Sequence, residues 1–394
     1  MTPRPLPPLP APPPFGPPPP PTSPPPPPPP PATDPPAPPS PPSPPPAPPS
    51  PPPPGPPGSP PPPLLPPPPP TPLIRSEIPG YVLVPAMAQQ MGVLSVGTFH
   101  KRVGDQALLN NFGEVNGAWM RGLGETREQQ WSSTIAGINY QLAPKIDGHA
   151  WGIQTGLDLF ASDNPAGQDR FGLFYTHAEA SGTVYGNTLA INGNRSGSLA
   201  LQGDSIGGYW THVAPNGWYV DAVTMHTWLS GGASSDRRFG AGAYGTAMIA
   251  SLESGVPFSI APNWSLEPQG QVIWQRVSFN DTSDAFSTID YQSFDAVIGR
   301  LGLRLENTTL VYGTPWQSFV SVDVWHNFSR TANVIFNDRN VATALGGTSL
   351  EVRGGLSMQL TATVAAYGSV GYTTNLNDET LRSVGGNVGV RVRW

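Results

Sequence analysis

From about Gly117 to the C terminus, apolar and polar positions alternate with a period of two, the side-chain period of a β-strand. In the last stretch Val384, Val388, Val390, Val392 and Trp394 share one face with Gly386, while Ser383, Asn387, Arg391 and Arg393 take the other. The pattern recurs upstream. Trp151, Ile153, Leu157 and Leu159 oppose Gln154 and Asp158; Leu266, Val272 and Trp274 oppose Glu267, Gln269, Gln271 and Gln275; Val297, Leu301, Leu303 and Leu305 oppose Arg300, Arg304 and Glu306. Twelve such runs are predicted: Gly117–Thr126, Ala150–Ser162, Arg170–Thr183, Leu199–Val213, Gly217–Leu229, Gly242–Ser254, Trp264–Phe279, Ala296–Glu306, Gln317–Phe328, Ser349–Leu360, Thr363–Thr374 and Arg382–Trp394.

One face is oily and the other carries charges and amides, which a soluble core would reject without partners. A barrel with lipid outside and a wet lumen accepts both. An even strand count and a chain stopping on an aromatic strand agree with an outer-membrane barrel. Asp158, Glu267, Arg300, Arg304, Arg391 and Arg393 are therefore expected to face the lumen. Tryptophans such as Trp119, Trp210, Trp218, Trp228, Trp316, Trp325 and Trp394 are expected near strand ends as interfacial girdles.

Two different segments precede the barrel. Of the 57 prolines, 48 lie before residue 79, so residues 1–72 read as a polyproline II linker reaching roughly 220 Å if extended. It is a spacer or a ligand for a proline-binding domain. Residues 73–115 read as a helix and its connection to a barrel over 116–394. The helix is expected to open at Pro85, to run about 19 residues (about 28 Å) through Gln89, and to stop at Gly104 behind Lys101 and Arg102. Tyr81 to His100 holds no Asp, Glu, Lys or Arg, but Gln89, Gln90, Ser95 and Thr98 suit a lumen better than lipid.

Composition narrows the class. Charged residues are only 12% and glycines number 44. There is no cysteine, which suits a protein crossing an oxidising periplasm. A net charge of −6 with no basic patch argues against a nucleic-acid partner.

These residues resemble the translocator of monomeric autotransporters of Gram-negative bacteria (type V secretion), over about Leu73 to Trp394. The stretches carrying the resemblance are Ile78-Pro79-Gly80-Tyr81, Pro85-Ala86, Gly97-Thr98-Phe99-His100-Lys101-Arg102-Val103-Gly104, Ala118-Trp119-Met120-Arg121, Gly156-Leu157-Asp158, Gly208-Tyr209-Trp210-Thr211-His212, Gly217-Trp218-Tyr219-Val220-Asp221, Ser251-Leu252-Glu253, Glu267-Pro268-Gln269 and Arg300-Leu301-Gly302-Leu303-Arg304, in family order. The resemblance implies an all-β, twelve-stranded antiparallel barrel with a pore helix, in the outer membrane. It implies a monomer that exports or displays an N-terminal passenger. It also implies barrel-assembly machinery and periplasmic chaperones as partners, with Val390, Val392 and Trp394 as the insertion signal. No passenger and no signal peptide precede the prolines, so either the true start lies upstream or the chain is a truncated remnant. A porin-like channel and a proline-rich surface interaction protein are the competing classes.

Some members of that family cut their passenger free between two asparagines in the helix. Here the matching positions are Gly97 and Thr98, so cutting is not expected; Asn110-Asn111 reads as a loop pair. Glu253 and Glu267 then read as solvated lumen lining. The six histidines are scattered, and no nucleophile, phosphate-loop or metal motif is found. No enzyme activity, cofactor or metal is expected.

Overall fold

The structure is a computed structural model that describes residues 72–104, 117–377 and 380–394. The proline-rich segment and the Asn110-Asn111 pair lie outside the described residues. Twelve antiparallel strands form the wall: β1 Gly117–Gln130, β2 Lys145–Asn164, β3 Gly167–Thr188, β4 Ile191–Val213, β5 Tyr219–Ser235, β6 Gly240–Gly255, β7 Trp264–Phe279, β8 Phe294–Val311, β9 Thr314–Asn327, β10 Gly347–Gln359, β11 Val364–Asn375 and β12 Leu381–Arg393. Each pairs with the next, and β12 returns to β1 with Gly117 opposite Arg393, closing the barrel. Closure satisfies every ladder hydrogen bond, which lipid cannot do for an open edge.

The expected alternation is realised as inside and outside. Trp151, Ile153, Leu157, Leu159, Val272, Trp274, Val297, Leu301 and Leu303 are exposed on the outer wall, and Gln154, Asp158, Glu267, Gln269, Arg300 and Arg304 are buried within. The wall is tight where glycine faces a ring. A Cβ at Gly156 would come within 2.4 Å of Trp119, one at Gly207 within 2.2 Å of Phe174, and one at Gly389 within 2.3 Å of Tyr367. Part of the high glycine content thus makes room for inward aromatic rings.

The two ends differ. At one end β2 turns into β3 through residues 165–166 and β8 into β9 through residues 312–313. At the other, long connections form a second, six-stranded sheet from residues 282–283, 288–291, 331–336, 339–344, 133–135 and 138–141. Outer-membrane barrels keep short turns on the periplasmic side, so the six-stranded sheet marks the outer mouth. The sequence reading missed this sheet: strands of two to six residues carry too few periods to be seen.

The helix departs from expectation in two ways. It begins at Ile78, with Pro79 in its first turn, and Pro85 lies inside it. Either proline fits a first turn, and the earlier one holds the position. The helix is also broken: α1 is Ile78–Val96 and α2 is Phe99–Val103, separated at Gly97, whose φ of 61° is open to glycine at no steric cost. Gly104 closes α2, as expected.

The lumen is only partly polar. Toward the outer mouth Val82, Leu83, Val84, Ala86, Met87 and Met91 are buried in one apolar cluster with Leu199, Leu201, Leu229 and Ala247 of the wall. Apolar residues surround α1 instead of forming one stripe, the pattern of a helix enclosed on all sides. Each fully buried aliphatic side chain contributes about 1.5–3 kcal/mol. Three tryptophans also turn inward: Trp119 and Trp131 are buried, and Trp325 donates Nε1–H to Glu351 at 3.0 Å. Trp218 and Trp394 remain outside, near the short-turn end.

Candidate functional site

The break between α1 and α2 is held by wall residues aimed at freed backbone groups. The last carbonyls of a helix lack intrahelical partners. Arg121 on β1 donates Nη2–H to the Ser95 carbonyl at 2.6 Å and Nε–H to Gln154 at 2.8 Å; Gln154 on β2 donates to the same carbonyl at 3.1 Å. Gln271 on β7 donates to the Gly97 carbonyl at 2.9 Å. A guanidinium at a helix C terminus is favoured by the helix dipole as well. Thr98 then caps α2, its Oγ1 accepting from the Lys101 amide at 3.3 Å.

The next four residues grip different parts of the wall. The Phe99 amide donates to Glu253 on β6 at 2.9 Å. His100 Nε2 lies 2.9 Å from Glu267 on β7. Lys101 Nζ lies 3.1 Å from Glu351 on β10, and Arg102 Nη2 lies 2.5 Å from Asp221 on β5. Two wall side chains return to backbone carbonyls: Tyr367 on β11 donates to Arg102 at 2.5 Å and Asn387 on β12 to Lys101 at 3.2 Å. Successive side chains of a short helix point about 100° apart, so adjacent residues must reach different strands. Four residues thereby tie the plug to β5, β6, β7, β10, β11 and β12.

The carboxylates are satisfied from behind. Glu253 also accepts from Tyr219 at 2.8 Å and pairs with Arg300 at 2.8 Å; Arg300 reaches Asp323 at 2.5 Å. Asp158 receives Arg391 at 2.6 Å, Arg170 at 3.4 Å and the Tyr209 hydroxyl. Arg304 pairs with Glu306 and stacks 3.8 Å over the Phe319 ring.

The other end of α1 is latched at the outer mouth. Arg75 pairs with Asp284 at 3.2 Å and donates to Ser287 at 2.8 Å, and the Tyr81 hydroxyl donates to Asp284 at 3.2 Å. Burial alone would raise the Asp284 carboxyl. The Phe286 and Ser287 amides and the Arg75 guanidinium outweigh it and hold that carboxyl below its ordinary range.

The sequence profile of the Autotransporter beta-domain family matches residues 118–371. The chain belongs to that family. It is 25% identical over 360 residues to the adhesin BmaC autotransporter of Brucella suis, covering 82% of this chain and 10% of that protein. It is 27% identical over 287 residues to the pertactin autotransporter of Bordetella bronchiseptica, covering 69% of this chain and 28% of that protein. The chain thus spans a minor part of the curated relatives it matches. In fold it resembles the transport unit of AIDA-I from Escherichia coli (TM-score 0.60, 17% identity, 81% of this chain and 99% of that one). It also resembles the translocator domain of NalP from Neisseria meningitidis (TM-score 0.54, 14% identity, 80% and 99%). Autotransporter β-domains are transport domains of the bacterial outer membrane.

Within this autotransporter β-domain, Asp158, Glu267, Arg300, Arg304, Arg391 and Arg393 all lie buried inside the wall. Gln89 on α1 accepts from Asn327 at 3.3 Å, while Lys101 and Arg102 sit on α2. Val392 and Trp394 are exposed on the outer wall, with Val390 half-buried. Glu253 and Glu267 are not solvated lining: both are buried against α2. Sequence reasoning missed Arg121, Gln154, Asp221 and Glu351 as partners of the plug. Each falls on the polar phase of its strand, which marks a residue as inward but not what it meets. Folding also brings His100, Glu267 and Glu306 ligand atoms within 4.8 Å of one another, although no sequence motif joins them. Glu306 there already holds Arg304 and accepts from Gln317 at 2.7 Å, so the group is neutralised without an ion. Among the described residues no helix is long and apolar enough to cross a membrane; the strands do so.

Proposed function

We propose that this barrel exports and then anchors a passenger carried ahead of the proline-rich segment, which acts as the spacer between them. The observation that carries this reading is the direction of the plug. Ile74 accepts from the Leu189 amide at 2.9 Å, beside the outer-mouth hairpin, and Arg75 pairs with Asp284 there, whereas α2 lies toward the short turns. A plug threaded this way presents Leu73 and Ile74 at the outer mouth. In this reading residues 1–72 are the linker, 73–115 the plug with its connection and 116–394 the barrel. Barrel-assembly machinery and periplasmic chaperones are the partners of insertion, reading the Val390, Val392 and Trp394 face of the last strand.

The passenger stays attached. Cutting at an asparagine needs its amide nitrogen to attack a nearby carbonyl, and the position that Gly97 occupies has no side chain. The Thr98 hydroxyl is engaged with the Lys101 amide. Glu253 lies beside this joint, but an acid without a nucleophile leaves the backbone intact.

The test is a fusion carrying a signal peptide and an epitope tag ahead of Met1. Surface labelling of intact cells is expected, with the tag on the same polypeptide as a heat-modifiable barrel. Absence of surface tag on a folded barrel rejects export. A released tag with a new N terminus at Asn111 rejects the uncut anchor.

A further inference from the structure

A strand edge is left open at the short-turn end of the wall. β6 stops at Gly255, opposite Tyr219 of β5 and Gln269 of β7. Pro257 follows, with no N–H to give a ladder. The chain then forms a short strand, Phe258–Ala261. One edge of it pairs with β7, Phe258 opposite Leu266 and Ala261 opposite Trp264. The turn between β4 and β5 meets this rim at Pro257, where a Cβ on Gly217 would come within 2.6 Å of the proline ring. Among the described residues nothing pairs with the other edge of Phe258–Ala261, and all four residues are exposed. The strand lies past the exposed Trp218, where water reaches an open edge as lipid cannot. Such an edge is a template for another extended chain.

Ser259 on this strand also lines a cavity of about 360 Å³. Asn216, Ser259, Asn263 and Trp264 form its rim and are exposed, whereas Phe99, Tyr219, Glu267 and Gln317 line its depth and are buried. Most polar groups of that floor are already engaged: His100 meets Glu267 at 2.9 Å, and Glu306 pairs with Arg304. Gln317 differs. It is 2% exposed and donates Nε2–H to Glu306 at 2.7 Å, but its Oε1 has no partner among the described residues. A buried acceptor left unpaired is costly, so the cavity is short of a donor.

We propose that this edge and cavity dock an extended segment of a periplasmic polypeptide, added as a strand beside Phe258–Ala261 with a donor-bearing side chain seated against Gln317. Three features select that occupant. The open edge offers a row of backbone groups that only an extended chain can match. Outer-membrane barrels keep their short turns in the periplasm, which sets the compartment. Side chains of the added strand that share the face of Ser259 enter the cavity, because strand side chains alternate, and there Gln317 takes an N–H. The proline-rich segment of this chain cannot fill the role, since proline has no N–H for the ladder.

The chain holds no cysteine, so Ser259→Cys supplies a single thiol on the cavity side of the edge. The purified full chain is offered short peptides of alternating threonine and valine with one central cysteine, under excess thiol reductant. The fraction captured as a disulfide is read by mass. Two places after the cysteine, on the same face, the peptide carries either glutamine or methionine. The glutamine peptide is expected to be captured about five-fold more, the weight of one net hydrogen bond. Gln317→Met in the same chain should level the two. A peptide with prolines flanking its cysteine should be captured no better than any peptide is at Tyr312→Cys, a thiol on a fully exposed turn. If the Gln317→Met chain does not fold, the proline peptide and the Tyr312→Cys chain decide. Equal capture of the glutamine and methionine peptides overturns the seat at Gln317. Equal capture of the proline peptide, or equal capture at the two thiols, overturns strand addition. Disulfide-linked pairs of the Ser259→Cys chain that exclude every peptide would make a second copy the occupant and overturn the proposal.

Discussion

Arg102 on α2 lies 2.5 Å from Asp221 on β5, 119 residues away in sequence, and both side chains are buried. Removing one partner strands the other charge in a place that water does not reach. Arg102→Met should therefore cost about 3–5 kcal/mol, read as the urea midpoint of the folded, heat-modifiable form. The double variant Arg102→Met, Asp221→Leu should recover much of that loss, because no charge is left stranded. If the double variant is no better than the single one, the pair is not the source of the effect.

Tyr367 lies over Gly389 and also donates to the Arg102 carbonyl. Gly389→Ala puts a methyl 2.3 Å from the ring, which must swing away and give up that hydrogen bond. An overpacking cost of about 1–3 kcal/mol is expected, together with faster proteolysis at the α2 end of the plug. Gly368 has only ordinary contacts at 3.4 Å and 4.0 Å, so Gly368→Ala is the control that should behave as wild type.

The outer latch should depend on pH. The Asp284 carboxyl is lowered in the folded protein. A lowered carboxylate adds stability that is fully present above its unfolded pKa, about 3.9, and is lost as pH falls through the folded value. Protease protection of residues 73–84 should therefore hold above about pH 4 and weaken below it. Asp284→Asn should be less protected at neutral pH and flat across that window. An unchanged acid profile in the variant would falsify the latch.

β12 pairs with β1 on one side and β11 on the other, so deleting it leaves two open edges that lipid cannot satisfy. Deletion of the last strand should abolish the heat-modifiable form. Trp394→Ser removes only an exposed side chain at the short-turn end and should reduce the yield of inserted barrel while leaving the stability of what inserts unchanged. A large loss of stability in the inserted fraction would assign Trp394 to packing.

The wall was readable because its cause is local. A residue such as Arg300 or Leu301 faces in or out according to its parity along the strand, and lipid outside enforces the same rule on all twelve strands. Arg121 and Gln154 could likewise be placed on the inner face. That they cap the α1 carbonyls could not be read, because the contact joins elements far apart in sequence and carries no periodic signal.

The sequence by itself determined the strand phases and the position of the plug ahead of β1. It also supplied the stop at Gly104. Only the tertiary structure decided that Pro79 and not Pro85 opens the helix, that Gly97 breaks it, and that His100, Lys101 and Arg102 reach Glu267, Glu351 and Asp221. It alone decided that the lumen around α1 is apolar. Parity follows from the backbone of one strand, whereas these choices depend on which side chains meet across a closed barrel, a property that no single segment possesses.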